Sequence, residues 1–405
     1  MAELAVPFHK ERDPYGPGAE LRRVQKAGPV SRVDLGKAAT WKSVWLVTGY
    51  AEAREVLGDF RRFSTQAASN RSEPGGASTV AEAGDLAVGN LLTLDPPEHT
   101  RMRKLVAPWF TTPRVRAMVP RITEIVRQRL DDMAASGPPA DLMRRFGWPV
   151  PVELFAEVLG IPRDDWGQFG RQLMESEVPG SGRDRQMRAG SRVSDYITWQ
   201  VSRQRKNPGD NFIGGLASTY GDQLRDDEIT GICMQLIRAG VGNISGMLGL
   251  GVLVLLENPD QLPVLDSDAE TVDRAVEELV RYLSIAHAPS PRVALDDTTL
   301  GGQPIKAGDV LICSLPAANR DTAVVPDPDR VDLARPPGPH VAFGYGPHHC
   351  LGAVLTKTVL RIAYGELFRR LPGLELTVAA SDVQFRTEGP TYGVKTLPIT
   401  WCRDK

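Results

Sequence analysis

The sequence predicts a mainly α-helical protein with a smaller β portion, folded as a single domain over residues 1–405. Three observations carry this. Apolar residues recur at helical spacing through the middle of the chain, over 114–134, 154–159, 192–206, 226–257 and 269–283. The β signals are short and lie towards the two ends. No Ser/Gly-rich linker or charge block divides the chain, although it exceeds the usual one-domain length.

In chain order, residues 1–40 are punctuated by proline and glycine, and about the first 20 are expected to be loose. "KSVWLVTGY" around Trp45 reads as a strand meeting a turn, and "AEAREVLGD" then reads as a helix. "RDDEIT" is an acidic start for the long helix 226–257, and "ENPDQ" is its stop. After helix 269–283, the two prolines of "APSPR" enforce extended chain, and "RVAL", "DTTLGGQPI" and "DVLICSL" read as short strands. From Asp321 to Gly346 periodicity is lost, and a loop that long inside a compact domain is usually functional. The helix "AVLTKTVLRIAYGELFRRL" follows, and the tail reads as a β-hairpin.

A formal charge of −2, with both signs interspersed, offers no basic stripe for nucleic acid or an anionic membrane, so neither is expected as a partner. Cys233, Cys313, Cys350 and Cys402 are widely spaced without a CxxC pair, which suits a reducing interior. The N-terminus lacks a basic start followed by an apolar core, and no run of about 18 apolar residues stands out. A cytoplasmic monomer is expected.

The stretch "HVAFGYGPHHCLGA" concentrates the chemistry. Cys350 lies just before a helix N-terminus, where free N–H groups and the helix dipole favour a thiolate. Gly344, Gly346 and Gly352 let the backbone approach a flat object closely. One thiol without paired ligands argues against structural zinc. A macrocycle carrying its own four nitrogens needs one protein ligand, and thiolate is among the haem options. On local physics alone, a buried cysteine in an ordinary glycine loop is an equal reading.

The full pattern Phe343-Gly344-x-Gly346-x-His348-x-Cys350-x-Gly352 resembles the haem-binding signature of the cytochrome P450 family, and other marks of that family follow in order across nearly the whole chain. The resemblance implies a single-domain cytochrome P450 fold, with haem b between the long oxygen-binding helix and the helix after the cysteine loop. It implies Cys350 as axial thiolate, Phe343 as its shield, and oxygen as co-substrate. Electrons would come from NAD(P)H through a ferredoxin and a ferredoxin reductase, since no nucleotide fingerprint or fused reductase is evident. Glu278 and Arg281 match the family's ExxR, and Arg335 matches the third member of its buried network. His99, Arg103, Arg292, His340 and His348 match positions near the haem propionates. His349 is read as facing loop or solvent, because adjacent side chains diverge.

The long helix departs from the family. Ala239-Gly240 match its AG pair, whose small side chains leave room for oxygen, but the acid and threonine that normally follow are replaced by Gly242 and Asn243. Glycine cannot relay a proton, and an asparagine amide is a poor proton donor near neutral pH. Ser245 or water could substitute, the substrate could supply a polar group, or the enzyme could abstract hydrogen atoms instead of inserting oxygen. Gly249 and Gly251 are read as close helix packing.

Asn243, "ELVRYLSIAHAPSPR" and "LGIPRDDWGQF" resemble the branch that cross-links aromatic side chains of glycopeptide antibiotics while the peptide is tethered to a nonribosomal synthetase. In that branch Pro162, Arg163, Asp164 and Asp165 would match a motif that docks a recruitment domain of the synthetase; the same residues also read as an ordinary helix start. The resemblance places Gly240, Ile244, the segment Ile285 to Ser290 with Ala288, and the tail from Thr391 to Val394 with Tyr392 on the pocket wall. The function implied is oxidative phenol coupling, C–O or C–C. The alternatives are hydroxylation of a secondary metabolite or carrier-bound amino acid, and, more remotely, a non-catalytic haem sensor.

Overall fold

Asp226–Glu257 forms the axis of the molecule, with the bounds that its acidic start and "ENPDQ" stop predict. The Glu228 carboxylate accepts from Arg225 N at 2.9 Å and closes the first turn, and Asn258 Nδ2 donates to Val254 O at 2.8 Å at the far end. The computed structural model describes residues 12–34, 41, 43–70, 88–177, 182–286, 291–386 and 391–402. Helices Pro149–Leu159, Arg183–Lys206 and Ala353–Arg370 and the C-terminal hairpin pack around this axis. By length and composition the axis could cross a membrane, with a mean hydropathy of 1.9 in its most apolar window, but 78% of that window is buried by the protein itself.

Packing explains its glycines. A Cβ on Gly251 would lie 2.0 Å from Tyr364 Oη, whose hydroxyl donates to Met247 O at 2.6 Å. One on Gly249 would lie 2.5 Å from Val394 Cγ2. These two are close-approach positions, as the sequence predicts.

The β portion centres on a five-stranded sheet in the order Val30–Asp34, Ser43–Val47, Val310–Cys313, Arg292–Ala294, Phe63–Ser64. Only Ser43–Val47 and Val310–Cys313 pair in parallel, with Leu311 opposite Trp45. Thr298–Leu300 and Gln303–Ile305 form a hairpin, and Phe385–Arg386 pairs with Gly393–Val394 in the tail.

Four differences from the sequence reading stand out. Residues 12–34 are ordered: Arg12 donates to Leu283 O and Ser284 O at 3.2 and 2.8 Å, and Ala19–Ala27 is a helix that buries Leu21 and Val24. Gly18 and Gly28 bound that helix rather than loosening the chain. The helix expected from residue 192 starts at Arg183, in a hydrophilic stretch whose outer face shows no apolar period. Helix Phe212–Thr219 was not predicted, while Trp166–Glu177 follows the helix start read at Pro162–Asp165.

Candidate active site

The cysteine loop is shaped by backbone that only glycine adopts easily. Gly344 and Gly346 have φ of +72° and +71°, and a Cβ on Gly346 would stand 2.6 Å from Leu57 O, so the loop lies against helix Tyr50–Gly58. Cys350 N donates to Phe343 O at 2.8 Å and Gly344 N to Val341 O at 2.8 Å, which folds the loop back on itself. The Phe343 ring sits between His340 and His349, with centroids 6.3 and 6.4 Å away. Gly352 leads directly into helix Ala353–Arg370. Burial pushes the Cys350 thiol up, while the Gly352 N–H and the Arg103 charge pull it down. The N–H effect expected from the sequence is present at Gly352 but is opposed by burial, and a bound metal cation would favour the thiolate.

A buried polar network holds this loop. Arg281 Nε and Nη2 donate to the two oxygens of Glu278 at 2.7 and 2.8 Å, and Arg335 Nε donates to Glu278 Oε1 at 3.1 Å. The Glu278 and Arg281 side chains are 4% and 3% exposed. From Arg281 the network runs to the loop: Nη1 donates to Asn319 O at 2.9 Å, and Asn319 Oδ1 accepts from Val341 N at 2.7 Å. Asn319, which sequence reasoning missed, is the joint between network and loop.

Positive charge collects beside the loop. The His99 and His348 rings lie 4.3 Å apart, and the charges of Arg103 and Arg292 act on both imidazoles. Burial, reinforced by these charges, pushes His99 down to about 4 and His348 down to about 3. Their Nε2 atoms have no hydrogen-bond partner among the described residues. Arg103 Nη2 donates to His349 O at 2.6 Å, which ties the cluster to the residue before Cys350. His340 does not join it: Nε2 lies 3.1 Å from Glu277 Oε1 and Nδ1 accepts from Ala342 N at 3.2 Å, so both ring nitrogens are engaged. His340 braces the loop instead.

Buried donors that repel one another suit a pair of carboxylates, and a thiol on a glycine loop suits the metal of a flat ring. These residues fit haem, with Cys350 as ligand and His99, Arg103, Arg292 and His348 towards the propionates. Comparison with known proteins decides the family. Residues 267–402 match the model for cytochrome P450, and the chain is 43% identical to Cytochrome P450 165B3 of Amycolatopsis orientalis over 98% of each chain. The chain is a cytochrome P450. Two solved cytochromes P450 are similar throughout: OxyB of teicoplanin biosynthesis, solved in complex with an X-domain, at 44% identity, TM-score 0.88 and 98% and 100% coverage, and OxyC, implicated in an oxidative C–C coupling reaction during vancomycin biosynthesis, at 38%, 0.89, and 99% and 98%. As a cytochrome P450 it is an oxidoreductase of the monooxygenase family that takes electrons from external redox partners.

On the oxygen-binding helix of this cytochrome P450, Asn243 is half-buried and its Oδ1 has no partner among the described residues. Ala239 is exposed. Gly240 is explained differently from the sequence reading: a Cβ there would lie 1.9 Å from Phe155 Cζ, so its bareness serves packing against helix Pro149–Leu159. Ser245 is wholly buried and lies about 200° around the helix from Asn243. It faces the core and cannot act beside Asn243. Ile244 is buried, and Ile285 Cδ1 would lie 3.6 Å from a Cβ on Gly246. The Tyr392 ring is stacked on Phe385 at 5.4 Å, under the Arg12 guanidinium at 5.0 Å, which makes it a packing residue rather than a pocket wall. Ala288 and Ser290 lie outside the described residues.

Proposed function

We propose that this cytochrome P450 joins two phenolic side chains of a nonribosomal peptide held on a carrier protein, in antibiotic biosynthesis. The observation that carries the reading is Gly242-Asn243 standing where the family has an acid and a threonine, with Ser245 wholly buried and about 200° around the helix from Asn243. Oxygen insertion and phenol coupling both draw two solvent protons per oxygen molecule, so the lost pair marks a changed proton path rather than a lower demand for protons. The oxidative C–C coupling in which OxyC is implicated supports the coupling reading.

Haem held by Cys350 would supply the activation of oxygen. The protein's part is to hold the sulfur through the Glu278–Arg281–Asn319 network and to anchor the carboxylates with the buried cations. It must also orient two rings under Asn243 so that they join in one geometry. The balance is one hydrogen atom lost from each phenol and one new C–O or C–C bond. Oxygen takes those two hydrogens, two electrons and two solvent protons, and leaves as two waters.

The Pro162–Asp165 turn is proposed as the docking point for a recruitment domain, a reading supported by the OxyB–X-domain complex. Pro162 caps the short helix Arg163–Asp165. Arg163 and Asp164 are exposed, whereas Asp165 accepts from Tyr196 Oη at 2.5 Å. Arg163 and Asp164 are thus the members able to meet a partner. The deciding experiment supplies a surrogate ferredoxin system and a carrier-tethered peptide with several phenolic residues, and weighs the product. Loss of two hydrogens is expected; gain of one oxygen would make the protein a hydroxylase.

A further inference from the structure

Gly242, Gly246 and Gly249 are spaced i, i+4, i+7 and share one face of the long helix. The structure shows what covers that face. A Cβ on Gly242 would meet Thr391 Oγ1 at 3.6 Å, one on Gly246 would meet Tyr392 O at 2.7 Å, and one on Gly249 would meet Val394 Cγ2 at 2.5 Å. The tail hairpin is therefore seated along the glycine stripe, one residue against each bare position. Further bonds fix its height: Arg386 Nη2 donates to Gly242 O at 3.3 Å, Tyr392 N donates to Ile285 O at 2.9 Å, and Thr391 bridges to Ala286. At Gly246 and Gly249 a side chain would collide. At Gly242 the contact is an ordinary van der Waals distance, so packing alone does not demand glycine there.

Thr391 stands at the position where a side chain of residue 242 would point, and it brings a hydroxyl. It is partly buried, whereas Tyr392, Gly393 and Val394 after it are buried, and its hydroxyl lies against the helix at Gly242, the residue before Asn243. We propose that Thr391 supplies, from the tail hairpin, the proton-passing hydroxyl that the helix itself lacks. Its Oγ hydrogen goes inward to oxygen being reduced, and the same oxygen regains a proton from solvent. Thr391 is unchanged over the cycle, and the two solvent protons in the balance above arrive this way. The proposal rests on the coupling reading only for the source of the other two hydrogens; a hydroxylase would need the same relay.

The test uses the haem-loaded enzyme with reductase, ferredoxin and the tethered phenolic peptide. In Thr391→Val, which keeps the shape and removes the hydroxyl, the fraction of reductant ending as hydrogen peroxide rises several-fold. Peptide binding by calorimetry and the melting temperature stay at wild-type values. Thr391→Ser restores low peroxide, and so does the pair Gly242→Ser with Thr391→Val, which moves the hydroxyl from hairpin to helix. An unchanged peroxide fraction in Thr391→Val overturns the proposal. So does a rise that accompanies weaker binding or a lower melting temperature and is not repaired by the double variant, since that pattern belongs to a packing residue. Product mass is read in the same assay, so coupling can fail while the relay stands, or the reverse.

Discussion

Replacing Cys350 by alanine removes the sulfur and leaves the Phe343–Cys350 backbone bond in place. The reduced, carbon monoxide-treated protein is expected to lose its red-shifted band, and a retained band would take Cys350 out of its role. Asn243→Thr restores half of the family's acid–threonine pair and should raise oxygenated product relative to coupled product; an unchanged ratio would show that position 243 is not the control point. His99 gives a pH signature. Its folded value of about 4 lies below the ordinary 6.5, so between those values the unfolded chain binds a proton that the folded chain refuses. The His99 contribution to stability of the haem-free chain is then complete above about pH 6.5 and falls by up to about 1.4 kcal/mol per pH unit towards pH 4, and His348, pushed down as well, acts in the same direction. Carboxylates placed beside His99 would favour its charged form, so haem loading should flatten this slope. Urea titrations of both forms across that range measure it.

Among the elements, the network on helix Ala269–Leu283 is the one whose loss should be felt furthest away. Glu278→Ala strands the Arg281 guanidinium, 3% exposed, and is expected to cost about 3–5 kcal/mol in denaturant titration, with haem retention falling alongside. Gly251→Ala on the long helix pushes a methyl into Tyr364 Oη and should cost about 1–3 kcal/mol with spectra unchanged. The ExxR pair, the cysteine loop and His99–Arg103 were legible in the sequence only through their resemblance to fixed family motifs, since local chemistry alone allows a surface ion pair or an ordinary glycine loop. The helix bounds at 226–257 and 269–283 were legible because strong caps meet strong periodicity. What lay hidden depends on contacts across the fold. Phe155 explains Gly240, the hairpin explains Gly246, and Glu277 draws His340 away, and no spacing encodes any of these meetings. Helix 183–206 was read short because its first turns are hydrophilic.

Taken whole, this cytochrome P450 receives its electrons from separate redox proteins, and the proposed function adds a carrier that presents the substrate. Alanine at both Arg163 and Asp164 should weaken pull-down by the recruitment domain without altering the haem spectrum; equal pull-down would leave the turn as a helix start alone. The Arg103–His349 bond described above joins residues 246 positions apart. The five-stranded sheet likewise pairs Trp45 with Leu311. Such distant pairings must wait for loop closure. During synthesis, then, Leu57 and Arg103, which meet the cysteine loop, are made long before the thiol that receives the cofactor exists. Haem capture must wait for Cys350, and a stalled nascent chain ending before it should expose its apolar helices to chaperones rather than wait in a native-like form.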